Sequence, residues 1–167
     1  MAALAAAGVS LAALGTKGAA QAASTHNPTL EVSLIEATAD DAGLSIDPQL
    51  KDLSPAALQQ PPFTRYSSYR LLQRQPFPLA TGKPVTLSLP NGRTLRATLT
   101  GTSATGADGG PGEKRYQLEA EIVATGDSGT AAFLRSLQVT VSGNEPFFVG
   151  GQSYRGGTMF IELNVRP

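Results

Sequence analysis

The fold is decided by the segment Val85-Thr86-Leu87-Ser88-Leu89-Pro90-Asn91-Gly92-Arg93-Thr94-Leu95-Arg96-Ala97-Thr98-Leu99. Apolar and polar residues alternate on both sides of a Pro-Asn-Gly turn, which is typical of a β-hairpin. A two-residue Asn-Gly loop would set the apolar residues of one strand opposite polar residues of the other. A three-residue loop instead pairs Leu87 with Leu95 and Val85 with Ala97. The sequence therefore predicts a type I turn with Gly92 in the left-handed bulge position.

The same alternation recurs outward from this hairpin. It predicts one-face strands over residues 30–34, 116–122, 136–141 and 159–165, with a further short strand over 146–149. Residues 63–73 are extended by residue type, and Pro76 and Pro78 indicate a sheet edge or a loop. These segments together predict an all-β fold, an antiparallel β-sandwich or barrel of about eight short strands.

Two connections differ from this strand pattern. Between Asp47 and Gln60, three leucines and two prolines predict a short helical insertion of one or two turns, with Pro48 and Pro55 at first helical positions. Residues 100–114 are rich in Gly, Thr and Ser and predict a flexible loop.

The composition agrees with a turn-rich domain. The chain has 167 residues, with 18 Gly, 12 Pro, no Cys, 13 Lys plus Arg and 13 Asp plus Glu. Gly and Pro together exceed the roughly 12 % of average usage, which argues against a helix bundle. Without net positive charge or a Lys/Arg cluster, nucleic-acid binding is not expected.

Residues 1–23 have the features of a signal peptide. They are rich in Ala, contain an apolar run over 4–14, and end near an Ala20-Gln21-Ala22 triplet typical of cleavage sites. An Ala-rich N-terminal helix is the alternative. We therefore predict a signal peptide over 1–23, a disordered lead over 24–28 and a single all-β domain over 29–167. Such a chain is exported to the periplasm, the cell surface or the extracellular space, and its mature part has no transmembrane segment.

Most catalytic and cofactor chemistries are disfavoured by residue content. The only histidine is His26, and there is no cysteine. Structural zinc sites and Ser-His or Cys-His catalysis therefore lack their usual groups. The sequence predicts no cofactor, no metal and no catalytic residue.

Two acidic groups offer alternatives. Asp40, Asp41 and Asp47 carry oxygen ligands for a hard cation, but their spacing fits turn and cap residues better. Glu119 and Glu121 share a strand face, with Glu31 and Glu162 as neighbours in other strands. Paired carboxylates permit glycoside hydrolysis. A solvated strand face is the favoured interpretation.

An aromatic segment is the first candidate binding site. Phe63, Tyr66 and Tyr69 fall within seven residues. In a strand, Phe63 and Tyr69 face one side and Tyr66 the other, so at least one tyrosine is expected outside the core or at its rim.

A glycine-bracketed loop is the second candidate. Gly150-Gly151 and Gly156-Gly157 flank Gln152, Tyr154 and Arg155. Positive φ at both glycine pairs would present a Tyr-Arg pair outward, as a contact loop. We expect Tyr154 and Arg155 to lie outside the core.

Three strings carry a resemblance: residues 62–72 (PFTRYSSYRLL), 89–93 (LPNGR) and 148–158 (FVGGQSYRGGT). They resemble small exported bacterial β-rich proteins of no assigned activity, an uncharacterised family. The resemblance implies export and a β fold. The hypothesis is a non-catalytic binding or assembly module of the bacterial cell envelope whose partner is an envelope protein or a glycan. A carboxylate-dependent enzyme, such as a glycoside hydrolase, and a passive subunit of a surface or secretion complex are the alternatives.

Overall fold

The computed structural model describes residues 27–39, 43–50, 53, 58, 60–105, 113–124 and 131–167. Within this part of the chain there are nine strands and a single 3-10 turn, Phe63–Arg65. The strands are β1 (Thr29–Thr38), β2 (Ser45–Ile46), β3 (Ser68–Pro78), β4 (Pro84–Ser88), β5 (Arg93–Thr105), β6 (Glu113–Ala124), β7 (Ala131–Ser142), β8 (Pro146–Tyr154) and β9 (Gly157–Arg166).

Two sheets make up the fold. The five-stranded sheet has the order β2-β3-β1-β9-β8, and the four-stranded sheet has the order β4-β5-β6-β7. All pairings are antiparallel except the short parallel contact of β2 with β3. The chain crosses from one sheet to the other after β3 and returns after β7. The prediction of an all-β sandwich is confirmed, and the closed-barrel alternative is not adopted.

The central hairpin has the predicted register. Leu87 pairs with Leu95 and Val85 with Ala97. Gly92 has φ +78°, and its N–H donates to the Leu89 carbonyl at 3.0 Å. The three-residue loop thus aligns the apolar faces because its left-handed residue is a glycine.

The main core lies between the two sheets. Alternate residues of β1, β5, β6 and β9 face inward and are almost fully buried, and together they exclude water from the space between the layers. Representative members are Leu34 (β1), Leu95 (β5), Ile122 (β6) and Ile161 (β9).

A second core covers part of the outer face of the five-stranded sheet. Ile35, Ala37 and Phe160 pack there with residues of the β1–β3 connection, namely Leu50, Leu53, Leu58 and Phe63. The one-face prediction is therefore wrong for β9, where Phe160, Glu162 and Asn164 are buried as well. At Phe160 the second face of β9 is covered because the β1–β3 connection folds back over the sheet.

Two local predictions need correction. The extended segment over 63–73 begins with the 3-10 turn, and β3 starts only at Ser68. Residues 100–105 and 113–114, predicted as loop, belong to strands, since β5 continues to Thr105 and β6 begins at Glu113. Thr and Ser in residues 100–105 pair with β6 and form strand despite their turn-like composition. Much of the predicted helical insertion, and the signal peptide over 1–23, lie outside the described residues.

Candidate functional site

The β8–β9 hairpin ends in a two-residue turn. Tyr154 pairs with Gly157, and Arg155 and Gly156 between them have φ +45° and +82°. Two consecutive positive φ values are the geometry of a type I′ turn, which suits the twist of a hairpin. Arg155 is exposed, and a bulky residue in this region costs about 1–2 kcal/mol. The turn therefore holds Arg155 in a disfavoured backbone conformation.

The glycines of this segment have different roles. Gly150 and Gly151 lie where the β8–β9 register shifts, between Val149 and Gln152, and neither has positive φ. The expected positive φ at both glycine pairs is therefore wrong for the first pair, which serves a β-bulge. At Gly157 a Cβ atom would lie 2.6 Å from the Ala37 carbonyl oxygen. Only glycine allows the hairpin to lie this close to β1.

Tyr154 and Arg155 differ in their surroundings. Tyr154 is half-buried and packs against the main core, contrary to the expectation that both residues lie outside it. The guanidinium carbon of Arg155 lies 5.3 Å from the centroid of the Tyr154 ring, within cation–π range. The Tyr154 ring thus contacts the main core and also the guanidinium group of Arg155.

Gln152 lies inside the molecule, not at the exposed tip. It is 1 % exposed, and its Oε1 accepts hydrogen bonds from Asn91 Nδ2 (2.8 Å) and Arg93 Nη1 (3.0 Å). These two bonds fasten β8 of the five-stranded sheet to the β4–β5 turn of the other sheet. They also fix the amide orientation, so its Nε2 faces away from both donors and is buried without an acceptor.

The β4–β5 turn and strand β8 bound an open depression of about 200 Å³, lined by Asn91, Arg93, Gly151 and Ser153. We call the surface formed by Asn91, Arg93, Ser153, Tyr154 and Arg155 the turn-end surface. Sequence analysis missed Asn91 and Arg93 as site residues. The Pro-Asn-Gly turn was visible in the sequence, but its contact with β8, about 60 positions away, had no local signal.

A further arginine, Arg70, lies in the same row of the five-stranded sheet as Gln152. Across the five-stranded sheet, Arg70 pairs with Glu36, Glu36 with Met159, and Met159 with Gln152. The Arg70 guanidinium donates twice to Glu36 Oε2, at 3.0 and 2.6 Å, while 59 % of the Arg70 side chain is exposed. The row that contains Gln152 thus also carries an exposed arginine paired to a buried carboxylate.

The aromatic segment is built into the second core. The Phe63 ring lies 4.9 Å from that of Phe160. The Tyr69 hydroxyl donates to the Phe63 carbonyl at 2.8 Å, and the Tyr66 hydroxyl donates to Thr158 Oγ1 at 2.7 Å. Burial, together with the neighbouring Tyr66, raises the pKa of Tyr69 above its ordinary value of 10.0.

The 3-10 turn explains why the three aromatic residues meet. In a strand they would alternate between faces, but the turn at residues 63–65 rotates the chain so that all three face the same cluster. Tyr66 is half-buried at the rim of this cluster, and Tyr69 is 2 % exposed. Their hydroxyl groups form intramolecular hydrogen bonds.

The acidic candidates are separated by the fold. Glu119 and Glu121 lie on the outer face of the four-stranded sheet and line a depression of about 200 Å³ with Arg96 and Thr98. Glu119 Oε1 accepts a hydrogen bond from Ser136 Oγ at 2.8 Å. Glu31 and Glu162 belong to the other sheet and do not join them, and Glu31 pairs with Arg74 and Arg166.

The cation candidate is described only in part. Asp47 accepts hydrogen bonds from the backbone N–H groups of Gln49 and Leu71, as a turn residue does. Asp40 and Asp41 lie outside the described residues. Among the residues that are described, no group of three or more His, Cys, Asp or Glu side chains is placed to hold a metal ion.

No helix in the described part of the chain is both long and apolar enough to cross a membrane. Comparison with protein-family models, with curated proteins and with solved structures found no match to this chain.

Proposed function

We propose that this chain is an exported, non-catalytic binding or assembly module of the bacterial cell envelope, and that the turn-end surface contacts its partner. The observation that carries the proposal is the conformation of Arg155, an exposed arginine with φ +45°. Residues in disfavoured backbone conformations cluster at functional sites, where the surrounding structure holds them in place. Export rests on the sequence of residues 1–23.

The support beneath Arg155 suits a binding role. Tyr154 packs against the core and lies beneath the guanidinium group, and Gln152 anchors the same strand to the β4–β5 turn. A rigid side chain loses little conformational entropy on binding. Tyr and Arg are also the residues that most often dominate interface energies.

The charge of this end indicates the chemistry of the partner. Arg93 and Arg155 belong to the turn-end surface, whereas the charge of Arg70, in the same sheet row as Gln152, is paired with Glu36. Cationic surfaces favour partners that carry carboxylates, because complementary charge speeds association and excludes wrong partners. The partner we propose is an envelope protein with an acidic surface, and a glycan is the alternative.

The test replaces Arg155 with asparagine, which adopts positive φ more readily than other non-glycine residues. Arg155→Asn should keep or raise the melting temperature and weaken capture of partners from envelope extract at least tenfold. Arg115→Asn is the matched control. It removes an exposed positive charge near the start of β6, whereas the other end of β6 pairs with Arg93 beside the β4–β5 turn. Equal capture by wild type and Arg155→Asn would contradict the proposal.

A glycoside hydrolase is the second candidate. Glu119 and Glu121 are two residues apart on one strand face and line the same depression. Alternate residues of a strand lie about 7 Å apart at their Cα atoms, so the two carboxyl groups can reach the separations that glycosidases use. The candidate requires that purified protein cleave cell-wall glycans and that both Glu119→Gln and Glu121→Gln abolish the cleavage.

A further inference from the structure

The exposed edges of the two sheets differ in how they are protected against pairing with another strand. Such protection commonly comes from short strands, prolines, bulges and charged residues. Strand β2 has two residues, β4 has five and begins at Pro84, and β8 begins at Pro146 and contains the bulge before Gln152. Strands β2, β4 and β8 therefore each carry at least one of these features.

Strand β7, at the fourth edge, has register shifts against β6 on the N-terminal side of Leu137, but it lacks such features over residues 137–142. It is twelve residues long and is last in its sheet, with β6 as its partner among the described strands. The sequence Ser-Leu-Gln-Val-Thr-Val-Ser over 136–142 contains no charge and no proline. Leu137 and Val139 pack against the main core but are only half-buried, so part of their apolar surface is open at this edge.

The pattern of polar and apolar residues along this edge is the same when it is read in reverse. In an antiparallel pair centred on Val139, Ser136 lies opposite Ser142, Leu137 opposite Val141, and Gln138 opposite Thr140. Apolar residues then meet on the core face and polar residues on the solvent face, as strand pairing requires. These seven residues contain no charge, and the five from Leu137 to Val141 lie beyond the register shifts of β7. A slip by two residues toward the N-terminus of β7 would bring Arg135 into the ladder opposite Val141.

We propose that two copies of this chain associate through antiparallel pairing of β7 about a two-fold axis at Val139. The pairing joins the two four-stranded sheets into one continuous sheet of eight strands. The occupant of this edge is a second copy because the pattern of polar and apolar residues is self-complementary and no charge within it opposes the pairing. Such an isologous contact closes after two copies. The proposal is independent of the partner at the turn-end surface.

The test places charges on the solvent face of β7. Gln138 and Thr140 are exposed, so the double variant Gln138→Lys/Thr140→Lys should fold normally. In the proposed dimer each new lysine lies opposite a lysine of the other copy, which is destabilising. Sedimentation of the full chain at increasing concentration should show a dimer for wild type and a monomer for this variant. The Gln138→Glu/Thr140→Glu variant should also be a monomer.

Mixing the two charged variants should restore a dimer with one copy of each, because every lysine then lies opposite a glutamate. The control variant Thr86→Lys/Ser88→Lys carries the same added charge on exposed positions of β4 and should remain dimeric like wild type. If either β7 variant fails to fold, Val139→Cys replaces this design, since the chain has no cysteine and this position faces itself across the axis.

Two results would overturn the proposal. One is a wild-type chain that stays monomeric up to about 1 mM, because a dissociation constant above this concentration is too weak for specific association. The other is a dimer that survives in both charged variants or, for Val139→Cys, fails to form an intermolecular disulfide under mild oxidation. Restored association on mixing supports both the strand and its register.

Discussion

Gly92 links the sequence to the register of the central hairpin through its backbone conformation alone. Its φ is +78°, and a Cβ atom added there would meet no atom within 4 Å. Any penalty for a side chain at this position is therefore conformational and not steric. The prediction made from the Pro-Asn-Gly turn is confirmed because this turn type requires a left-handed residue at that position.

We expect Gly92→Val to lower the free energy of unfolding by about 1–2 kcal/mol, since a β-branched residue is strongly disfavoured at positive φ. Gly92→Asn is the control and should lose less, because asparagine tolerates this region. Urea denaturation of both variants measures the difference. An equal loss for the two variants would argue against a conformational cause.

Tyrosine ionisation is a second property that depends on single residues. Burial raises the pKa of Tyr116, and burial together with Tyr66 raises that of Tyr69, above the ordinary value of 10.0. A raised folded-state pKa means that the folded state favours the neutral hydroxyl. The stabilising contribution is therefore full below pH 10 and is lost as the pH rises through the folded-state pKa.

The free energy of unfolding should thus fall above pH 10, and the fall should be smaller in Tyr69→Phe and Tyr116→Phe. The chain has no Trp and no Cys, so absorbance at alkaline pH reports tyrosinate directly. The late part of the wild-type titration should disappear in the double variant. If a late component of the titration persists in the double variant, it belongs to other tyrosines and the account of Tyr69 and Tyr116 is wrong.

At the scale of elements, strand alternation was enough to predict most of the sheet structure. The predicted faces of β6 and β7 are confirmed because each is covered on one side only. For β9 the alternation misled, since Phe160 and Glu162 looked solvent-facing. The burial of Phe160 depends on the β1–β3 connection folding over the sheet, a long-range contact without a local signal in the sequence.

The candidate site was predictable to a lesser extent. The glycine-bracketed segment correctly indicated a special turn, and Arg155 is exposed at its tip. The interior position of Gln152 was not foreseen, because its hydrogen-bond partners come from a different sheet. The 3-10 turn at residues 63–65 likewise changed the direction of the aromatic side chains.

The link between β8 and the β4–β5 turn can be measured by a double-mutant cycle. Gln152→Ala and Arg93→Ala should show a coupling of about 1–3 kcal/mol, the range for a hydrogen bond to a charged group. Gln152→Ala and Arg96→Ala form the control pair, because Arg96 lies on the opposite face of β5. Coupling no larger than in the control pair would mean that this link contributes nothing to stability.

At the scale of the whole molecule, the sheets are held together by the core, by the two crossings of the chain and by the Gln152 hydrogen bonds. The turn-end surface and the β7 edge use different parts of this scaffold. A dimer through β7 would therefore present two turn-end surfaces, and linked sites raise the overall affinity for a partner with repeated acidic patches.

Export makes a prediction for the chain as a whole. Mass spectrometry of the protein recovered from producing cells should find its N-terminus near Ala23 or Ser24, as the cleavage-like triplet indicates. The control is a variant with charged residues in the apolar run, which should keep its full length. A soluble intracellular protein that retains Met1 would refute export.

The central claim is that the turn-end surface contacts an envelope partner, and site-specific photo-cross-linking in producing cells tests it most directly. A photoreactive residue at position 155 should yield a discrete adduct with an envelope protein, and the adduct should weaken at high salt because the contact is between charges. The same photoreactive residue at position 115, at the end of β6 that is away from the β4–β5 turn, should not give this adduct. An adduct at 115 with none at 155 would contradict the account.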